Sequence, residues 1–242
     1  MDAIKTVKLT KKYKDLTAVN ALDLTVKQGE LFSLLGVNGA GKTTTVKMLT
    51  CLTAPDGGDA FVCGKSICTD ANSVKAHIAL SPQETAVAPK LSVRENLRLM
   101  CGVYGYDKGK TAEKATFLAE KFGLTAILDK KAEKLSGGTQ RRLSIAMALA
   151  GEPRVLFLDE PTLGLDVLAR NELHETILAL KGKLTTVLTT HYMEEAEALS
   201  DRVGIMKDGA LLAVGTVPEL KAMTQTDSLE KAFIAIVKGA SK

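Results

Sequence analysis

The chain has 242 residues, of which 45% are hydrophobic and 25% are charged, and its formal net charge is +4. These values are typical of a folded domain and exclude an intrinsically disordered chain. Trp is absent and aromatic residues make up 4% of the chain, so the mild positive charge does not predict a nucleic-acid partner. The apolar runs are too short for a bilayer-spanning helix, and the first residues lack the pattern of a signal peptide. We therefore expect a cytoplasmic protein that does not itself cross a membrane.

The first predicted elements are strands followed by a helical region. Short runs that alternate apolar and polar residues over Ile4–Val26 predict antiparallel strands. The apolar run Leu31–Leu35 predicts a buried strand, and the glycine-rich turn after it leads into a sequence with helical spacing. Helical patterns dominate from Leu91 to Ala150, where Ser92 and Glu95 have the spacing of a capping box.

Buried strands return after this helical region. Three short segments have the pattern of buried strands, namely Val155–Leu158, Thr185–Thr189 and Val203–Met206. A helical pattern separates the first two, so these strands are expected to be parallel. Asp208 and Gly209 then predict a hairpin turn. The order of elements predicts an α/β fold with a mostly parallel sheet, an N-terminal antiparallel β-subdomain and an inserted α-helical subdomain.

A glycine-rich segment, GVNGAGKTT, follows the strand Leu31–Leu35 and matches the pattern GxxxxGK[ST]. Glycines let successive backbone N–H groups point at phosphate oxygens, and the helix that follows adds its positive pole. Lys42 would neutralise the terminal phosphates of a nucleotide, and the Thr43 hydroxyl would ligate Mg²⁺. A glycine turn before Lys-Thr can arise by chance, but the flanking strand and helix favour a P-loop NTPase core. The candidate nucleotide-binding residues are Gly36, Asn38, Gly39, Ala40, Gly41, Lys42, Thr43 and Thr44.

Two acidic residues, Asp159 and Glu160, end the apolar run Val155–Leu158. Such a run delivers carboxylates to the C-terminal edge of a parallel sheet, where α/β proteins bind ligands. Asp159 fits as the carboxylate on the Mg²⁺ side, and Glu160 fits as the base that orients an attacking water. Alone, an Asp-Glu pair would more often be a solvated strand end. Beside a phosphate-binding loop, it indicates nucleotide hydrolysis.

A second phosphate-binding pattern lies at LSGGTQ, where Ser136 and two glycines precede a predicted helix. The exposed backbone amides and the helix N-terminus suit a phosphate, although Ser-Gly-Gly is also an ordinary turn that begins a helix. One nucleotide cannot easily touch both this loop and the loop at Lys42 within one chain.

The phosphate-binding loop, LSGGTQ, FLDEP and a downstream TTH occur in the order and spacing of the ATP-binding-cassette (ABC) nucleotide-binding domains. The whole chain resembles such a domain. The resemblance implies ATP hydrolysis with Mg²⁺ by two domains that pack head to tail. Each ATP is then held between the P-loop of one subunit and the signature loop of the other. The signature residues that contact ATP across the dimer are Ser136, Gly137, Gly138 and Gln140.

The resemblance assigns four further positions. Tyr13 matches the aromatic residue that stacks on adenine, although by itself it is also consistent with an edge-strand tyrosine. Gln83 matches the glutamine that reaches Mg²⁺ and water and senses the membrane partner, so the implied metal set is Thr43, Gln83 and Asp159. Asp166 matches the aspartate of the loop that crosses between the two subunits. His191 matches the switch histidine that contacts the γ-phosphate and joins Glu160 and Gln83 as a catalytic residue.

The resemblance covers residues 1–242 as a single ABC ATPase domain. It implies a core of residues 1–85 and 151–225, a helical subdomain of about 86–150, and a short tail of 226–242. The implied partners are a separate integral-membrane permease, docked over Glu84–Tyr106 at the inner face of the cell membrane, and a second copy of the chain or a homologous ATPase.

The implied direction of transport is export, because the chain resembles the stand-alone ATPases of antibiotic, sodium, lipid and polysaccharide exporters. The alternative is a soluble ABC ATPase that acts in translation or repair. One cassette without a long coiled coil between Lys42 and Ser136 argues against that alternative.

Overall fold

The computed structural model describes residues 1–239, and within that part of the chain the strands form two sheets. The strands in chain order are β1 (Asp2–Tyr13), β2 (Leu16–Leu22), β3 (Thr25–Lys27), β4 (Leu31–Leu35), β5 (Gly57–Val62), β6 (Lys65–Ser66), β7 (Ile78–Ser81), β8 (Val155–Asp159), β9 (Thr185–Thr190), β10 (Arg202–Lys207) and β11 (Ala210–Gly215). The helices are α1 (Lys42–Leu49), α2 (Ala71–Lys75), α3 (Val93–Val103), α4 (Lys108–Lys121), α5 (Gly137–Ala148), α6 (Val167–Leu178), α7 (Met193–Leu199), α8 (Val217–Thr224) and α9 (Leu229–Gly239).

The smaller sheet is antiparallel, as the alternating pattern near the N-terminus predicts. Its strands are ordered β2-β1-β5-β6, and β3 pairs with β1. Strands β5 and β6 extend this sheet beyond the region that the alternation identified. The buried side chains of β1 include Ile4 and Leu9, which pack into a core shared with one face of the larger sheet.

The larger sheet is ordered β11-β10-β4-β9-β8-β7 and is parallel except for β11. Strand β11 returns antiparallel through Asp208 and Gly209, which both have positive φ, 48° and 79°. Successive residues of β8 enter different cores: Leu156 packs with α3, α4 and α5, whereas Phe157 packs with the antiparallel sheet. Because both faces are covered, this strand is apolar until its last residue rather than alternating.

The helical block α3–α5 lies between β7 and β8 in the chain, where helical patterns predict it. The capping box is confirmed: the Ser92 hydroxyl accepts from the Glu95 N–H at 3.2 Å, and the Glu95 carboxylate accepts from the Ser92 N–H at 2.7 Å. The subdomain boundaries near residues 85 and 150 stay predictions. The predicted tail of 226–242 is described as far as Gly239, and its last residues lie outside the described part.

The parallel strands bring distant segments to one edge of the larger sheet. The glycine-rich loop follows β4, Gln83 follows β7, Glu160 follows β8, and His191 follows β9. Because these neighbouring strands run in the same direction, their C-terminal ends meet, which is where open α/β sheets bind ligands.

Candidate nucleotide-binding site

The glycine-rich loop between β4 and α1 is tight because glycines bring its backbone against neighbouring strands. Gly41 has φ 100°, and a Cβ there would overlap the carbonyl oxygen of Ala18. A Cβ on Gly36 would lie 2.5 Å from the carbonyl oxygen of Met206. Gly39 also has positive φ, 82°, but a Cβ there would meet nothing within 4 Å. The loop is therefore packed on its inner side and open at Gly39.

Lys42, the first residue of α1, is buried beneath this loop. Its ammonium donates to the carbonyl oxygens of Gly36 at 2.7 Å and Val37 at 3.2 Å. It also lies 3.2 Å from Oε1 of Glu160. A cation thus lies under the loop and is neutralised by the carboxylate at the end of the neighbouring strand.

Glu160 joins three elements of the site. Its Oε2 lies 2.5 Å from Nδ1 of His191, and its Oε1 lies 3.2 Å from the Lys42 ammonium. Both carboxylate oxygens therefore have partners. The Glu160 backbone has φ 48°, a left-handed conformation that is uncommon for a residue with a side chain. Its N–H donates to the Thr189 hydroxyl at 3.0 Å and to the Thr189 carbonyl oxygen at 3.1 Å, which holds this conformation.

Asp159 lies one residue earlier and faces the start of α1. Its Oδ1 accepts from the Thr43 hydroxyl at 3.1 Å and from the Thr189 hydroxyl at 2.5 Å. Thr189 is a site residue that the sequence motifs missed. The signal that could have identified it is a threonine near the end of the next predicted strand, because β8 and β9 pair Asp159 with Thr189.

A cavity of about 450 Å³ opens above these residues, within the usual size range of small-molecule sites. Tyr13 lines this cavity and is 45% exposed, with the Lys11 ammonium 5.4 Å from its ring centroid. Leu16, Ala18 and Leu163 also line the cavity, although they belong to no chemical motif. The sequence-predicted residues that line it are Tyr13, Asn38, Gly39, Ala40, Gly41, Lys42, Thr43, Thr44, Gln83, Glu160 and His191.

Comparison with known proteins identifies this arrangement. Residues 19–163 match the family model described as ABC transporter. The chain belongs to the ABC transporter family. The prediction of an ABC ATP-binding domain is thereby confirmed.

Relatives of this ABC chain include transport and resistance proteins. The probable multidrug ABC transporter ATP-binding protein YbhF of Escherichia coli (strain K12) is 40% identical over 97% of this chain and 41% of its own length. The daunorubicin/doxorubicin resistance ATP-binding protein DrrA of Streptomyces peucetius is 42% identical over 91% of this chain and 67% of its own length. The linearmycin resistance ATP-binding protein LnrL of Bacillus subtilis (strain 168) is 39% identical over 91% of this chain and 71% of its own length. The chain thus spans less than half the length of the first of these relatives.

Solved structures agree with the ABC fold. The ATP-binding subunit of an ABC transporter has a TM-score of 0.85 and 27% identity, with 97% of this chain and 99% of that chain covered. An ATP-binding cassette solved as a dimer in a post-hydrolysis state with ADP and Pi has a TM-score of 0.78 and 26% identity, with 88% of this chain and 98% of that chain covered. The predicted fold class is confirmed.

The signature residues of this ABC domain lie outside the cavity. Ser136 caps α5, and its hydroxyl accepts from the Thr139 N–H at 3.4 Å. Ser136 and Gly137 are exposed, whereas Gly138 is buried, and a Cβ there would lie 2.7 Å from the Ala169 Cβ. Gln140 donates to the carbonyl oxygens of Ala132 at 3.0 Å and Leu135 at 3.2 Å. In this structure the Gln140 amide therefore supports the signature loop from within.

Asp166 also lies outside the cavity, at the N-cap of α6. Its Oδ1 accepts from the Ala169 N–H at 2.9 Å. Next to it, Val167 is 69% exposed and Leu168 is 77% exposed. The structure therefore places Ser136 and Asp166 on the surface, apart from the predicted residues that line the cavity.

Proposed function

We propose that this chain binds and hydrolyses ATP as one half of a head-to-tail dimer and thereby powers a membrane exporter. The observation that carries the proposal is the position of Glu160. It lies between Lys42 and His191, beside the Asp159–Thr43 pair and at the wall of a nucleotide-sized cavity. This arrangement unites the groups that phosphoryl transfer to water needs: a phosphate cradle, a metal-binding edge and a carboxylate base.

ATP would bind with its phosphates against the loop from Gly36 to Gly41 and the N-terminus of α1. The backbone N–H groups and the helix pole are fixed in advance, so little reorganisation accompanies binding. Lys42 at present contacts two loop carbonyls and Glu160. A triphosphate carries more negative charge than Glu160 and would draw the ammonium toward itself. Tyr13, exposed at the far end of the cavity, would stack on the adenine.

The residues also fit Mg²⁺. Thr43 and Asp159 supply a hydroxyl and a carboxylate already in contact, and the exposed Gln83 lines the same cavity. Residues 1–239 contain no cluster of three or more His, Cys, Asp and Glu side chains that could hold a metal ion. This fits Mg²⁺ in phosphoryl transfer, which typically uses one or two carboxylates and completes its shell with phosphate oxygens and water. When bound there, the ion would neutralise charge on the phosphates during transfer.

Glu160 would orient the attacking water once Lys42 has moved to the phosphates. One carboxylate oxygen then becomes free to accept a hydrogen bond from water, while His191 continues to hold the other at 2.5 Å. The strained backbone of Glu160 aims this carboxylate along the sheet edge toward the cavity. His191 would thus position the base and contact the transferred phosphate.

A second subunit would complete the site. Ser136 and Gly137 are exposed at the N-terminus of α5, yet they lie outside the cavity of their own chain. Asp166 with its exposed neighbours Val167 and Leu168 adds apolar surface on the same side as the signature helix, since α5 and α6 are packed together. A head-to-tail partner would bring Ser136 to the ATP of this chain and cover that apolar surface. A helix N-terminus of this kind suits a phosphate.

The membrane permease would dock on α3 and the segment before it. Leu99 and Tyr104 are 47% and 44% exposed, and Val103 is 69% exposed, whereas Leu97 and Cys101 of the same region are buried. Residues 1–239 contain no helix long and apolar enough to span a bilayer. Following the resemblance to exporter ATPases, we assign the translocation path to a separate permease chain and place this chain at the inner face of the membrane.

Export is supported by the names of the relatives, which refer to multidrug transport and to resistance against daunorubicin, doxorubicin and linearmycin. These names favour the transport reading over a soluble ATPase of translation or repair. They describe those proteins and do not identify the cargo of this one.

The deciding experiment is isolation of the tagged chain from detergent-solubilised membranes of its host. Recovery of a multi-span protein, reduced in Tyr104→Asp and Ala88→Asp variants, is the expected result. A Phe117→Asp variant, which changes an exposed aromatic residue on α4, is the matched control and should keep the partner. A chain that stays in the soluble fraction, or returns with ribosomes or nucleic acid, overturns the exporter proposal but not ATP hydrolysis.

A further inference from the structure

A buried arginine joins the signature helix to the loop that carries Gln83. Arg141 lies in the second turn of α5 and is 4% exposed. Its Nη1 donates to the Pro82 carbonyl oxygen at 2.5 Å, and its Nη2 donates to the Gln83 carbonyl oxygen. Two consecutive carbonyl groups thus point at one guanidinium, whose planar fork matches such a pair.

The guanidinium of Arg141 forms no ion pair with the described residues. Among the described residues no carboxylate lies within ion-pair distance of it, and its Nε has no hydrogen-bond partner. Burial lowers the pKa of the guanidinium, and the negative charge of Asp159 opposes that shift. A leucine or methionine would fill the same space without desolvating a charge. The specific gain from arginine is the fastening of the Pro82–Gln83 backbone.

A second contact fastens the same segment. The Ser81 hydroxyl lies 3.1 Å from the Ser144 hydroxyl, and this pair is buried. Arg141 and Ser144 are three residues apart on α5 and therefore lie on the same side of the helix. The segment from Ser81 to Gln83 is held at both ends by one helix.

An adjacent face of α5 is fixed to α6. Gly138 is packed so closely that a Cβ would lie 2.7 Å from the Ala169 Cβ, and Arg142 contacts Glu172 at 3.4 Å. Asp166 caps α6 three residues before Ala169. Helix α5 therefore connects the Gln83 segment, which faces the cavity of its own chain, with Ser136 and Asp166, which face outward.

We propose that Arg141 is a positioning residue that couples Gln83 in one ATP site to the signature loop that serves the opposite site. Movement of the signature helix on dimer closure then carries Gln83 with it through the two carbonyl contacts. This inference rests on the proposed roles of Gln83 and of the head-to-tail dimer. It predicts that Arg141 affects turnover through Gln83 and not through ATP binding, because Arg141 does not line the cavity.

The test is a double-mutant cycle on steady-state ATP hydrolysis with Gln83→Ala and Arg141→Met. Each single change should lower kcat, Arg141→Met by about tenfold, with KM for ATP nearly unchanged. The double variant should be no slower than the slower single variant, within about twofold. Lys114→Met, which removes a partly exposed ion pair between α4 and Glu152 that the proposal does not use, is the matched control. The fold loss in kcat of this control and that of Gln83→Ala should multiply in the variant that carries both changes.

The outcomes separate the inference from the proposed function. If Gln83→Ala leaves kcat unchanged, the proposed role of Gln83 fails and the inference fails with it. If Gln83→Ala lowers kcat but the losses multiply in the double variant, the inference alone is overturned. Arg141→Lys and Ser144→Ala keep the test valid if Arg141→Met does not fold. A lysine bonds one carbonyl at a time and should restore part of the lost kcat, and Ser144→Ala should show the same non-additivity with Gln83→Ala.

Discussion

Nδ1 of His191 lies 2.5 Å from Oε2 of Glu160, although 31 residues separate them in the chain. Strands β8 and β9 are parallel neighbours, so the residues that follow them emerge side by side at the sheet edge. The other oxygen of Glu160 is held by Lys42 at 3.2 Å. The carboxylate is therefore held at both oxygens by side chains of its own chain.

Glu160→Gln should retain ATP binding and lose turnover. The amide keeps the shape of the side chain but cannot act as a base, and a loss of about 10²–10³-fold in kcat is expected. Phosphate release measures turnover, and a fluorescent ATP analogue measures affinity. Glu175→Gln, an exposed change on α6, should leave both unchanged. Turnover of Glu160→Gln within a few-fold of the parent would remove Glu160 from the role of base.

His191→Ala should lower kcat by about 10–100-fold, because Glu160 loses the partner that orients it. ATP affinity should change less than turnover, since the phosphate cradle is intact. Single-turnover hydrolysis distinguishes a loss of the chemical step from a loss of ATP affinity. The matched change is His77→Ala, whose ring contacts the Ser73 carbonyl oxygen and does not line the cavity. Equal losses in the two variants would contradict a catalytic role for His191.

Gly41→Ala and Gly39→Ala should differ although both glycines have positive φ. An alanine at 39 meets open space and suffers only the backbone strain of about 1–2 kcal/mol. An alanine at 41 adds overlap with the Ala18 carbonyl oxygen, so the loop must move and ATP binding should be lost. Urea unfolding gives the free energy of unfolding of both variants, and nucleotide titration gives their affinity. Similar behaviour of the two would refute the packing argument.

Thr189→Val should weaken the proposed Mg²⁺-binding edge of the site. The change removes the hydroxyl that donates to Asp159 at 2.5 Å and accepts from the Glu160 N–H at 3.0 Å, so we expect a loss of about 1–3 kcal/mol in stability. The Mg²⁺ concentration needed for half-maximal hydrolysis should rise. Thr186→Val on the same strand is the control, because that buried hydroxyl has no hydrogen-bond partner in the described structure. It should be neutral or stabilising, and an equal loss there would dismiss the special role of Thr189.

Several features of the fold could be predicted from local sequence. Leu31–Leu35 is apolar except for Ser33 because both of its faces are covered, and the structure forms β4 over the same residues. Ser92 and Glu95 predict a helix start because a capping box uses side chains three residues apart. The glycine-rich loop was recognisable because phosphate binding requires glycine, lysine and threonine in consecutive chain positions.

The candidate site was predictable to the extent that its chemistry is written in short motifs. Lys42, Asp159 and Glu160 were named from such motifs, whereas the role of His191 came from the resemblance to the ABC family. The structure brings all four to one edge of the sheet. Gln83, Tyr13 and Asp166 needed the resemblance to the ABC family, because the few residues around each also suit an ordinary loop or strand end. Their proposed roles remain predictions.

What only the tertiary structure decided are the contacts between segments distant in the chain. The Thr189 contact with Asp159 depends on the register of β8 against β9, and the Arg141 contacts depend on how α5 packs against the end of β7. Neither register nor packing leaves a local mark, since any threonine in a strand or arginine in a helix would look the same in sequence. The sequence by itself determined which groups can do the chemistry. Their mutual placement followed from burial and strand pairing across the whole chain.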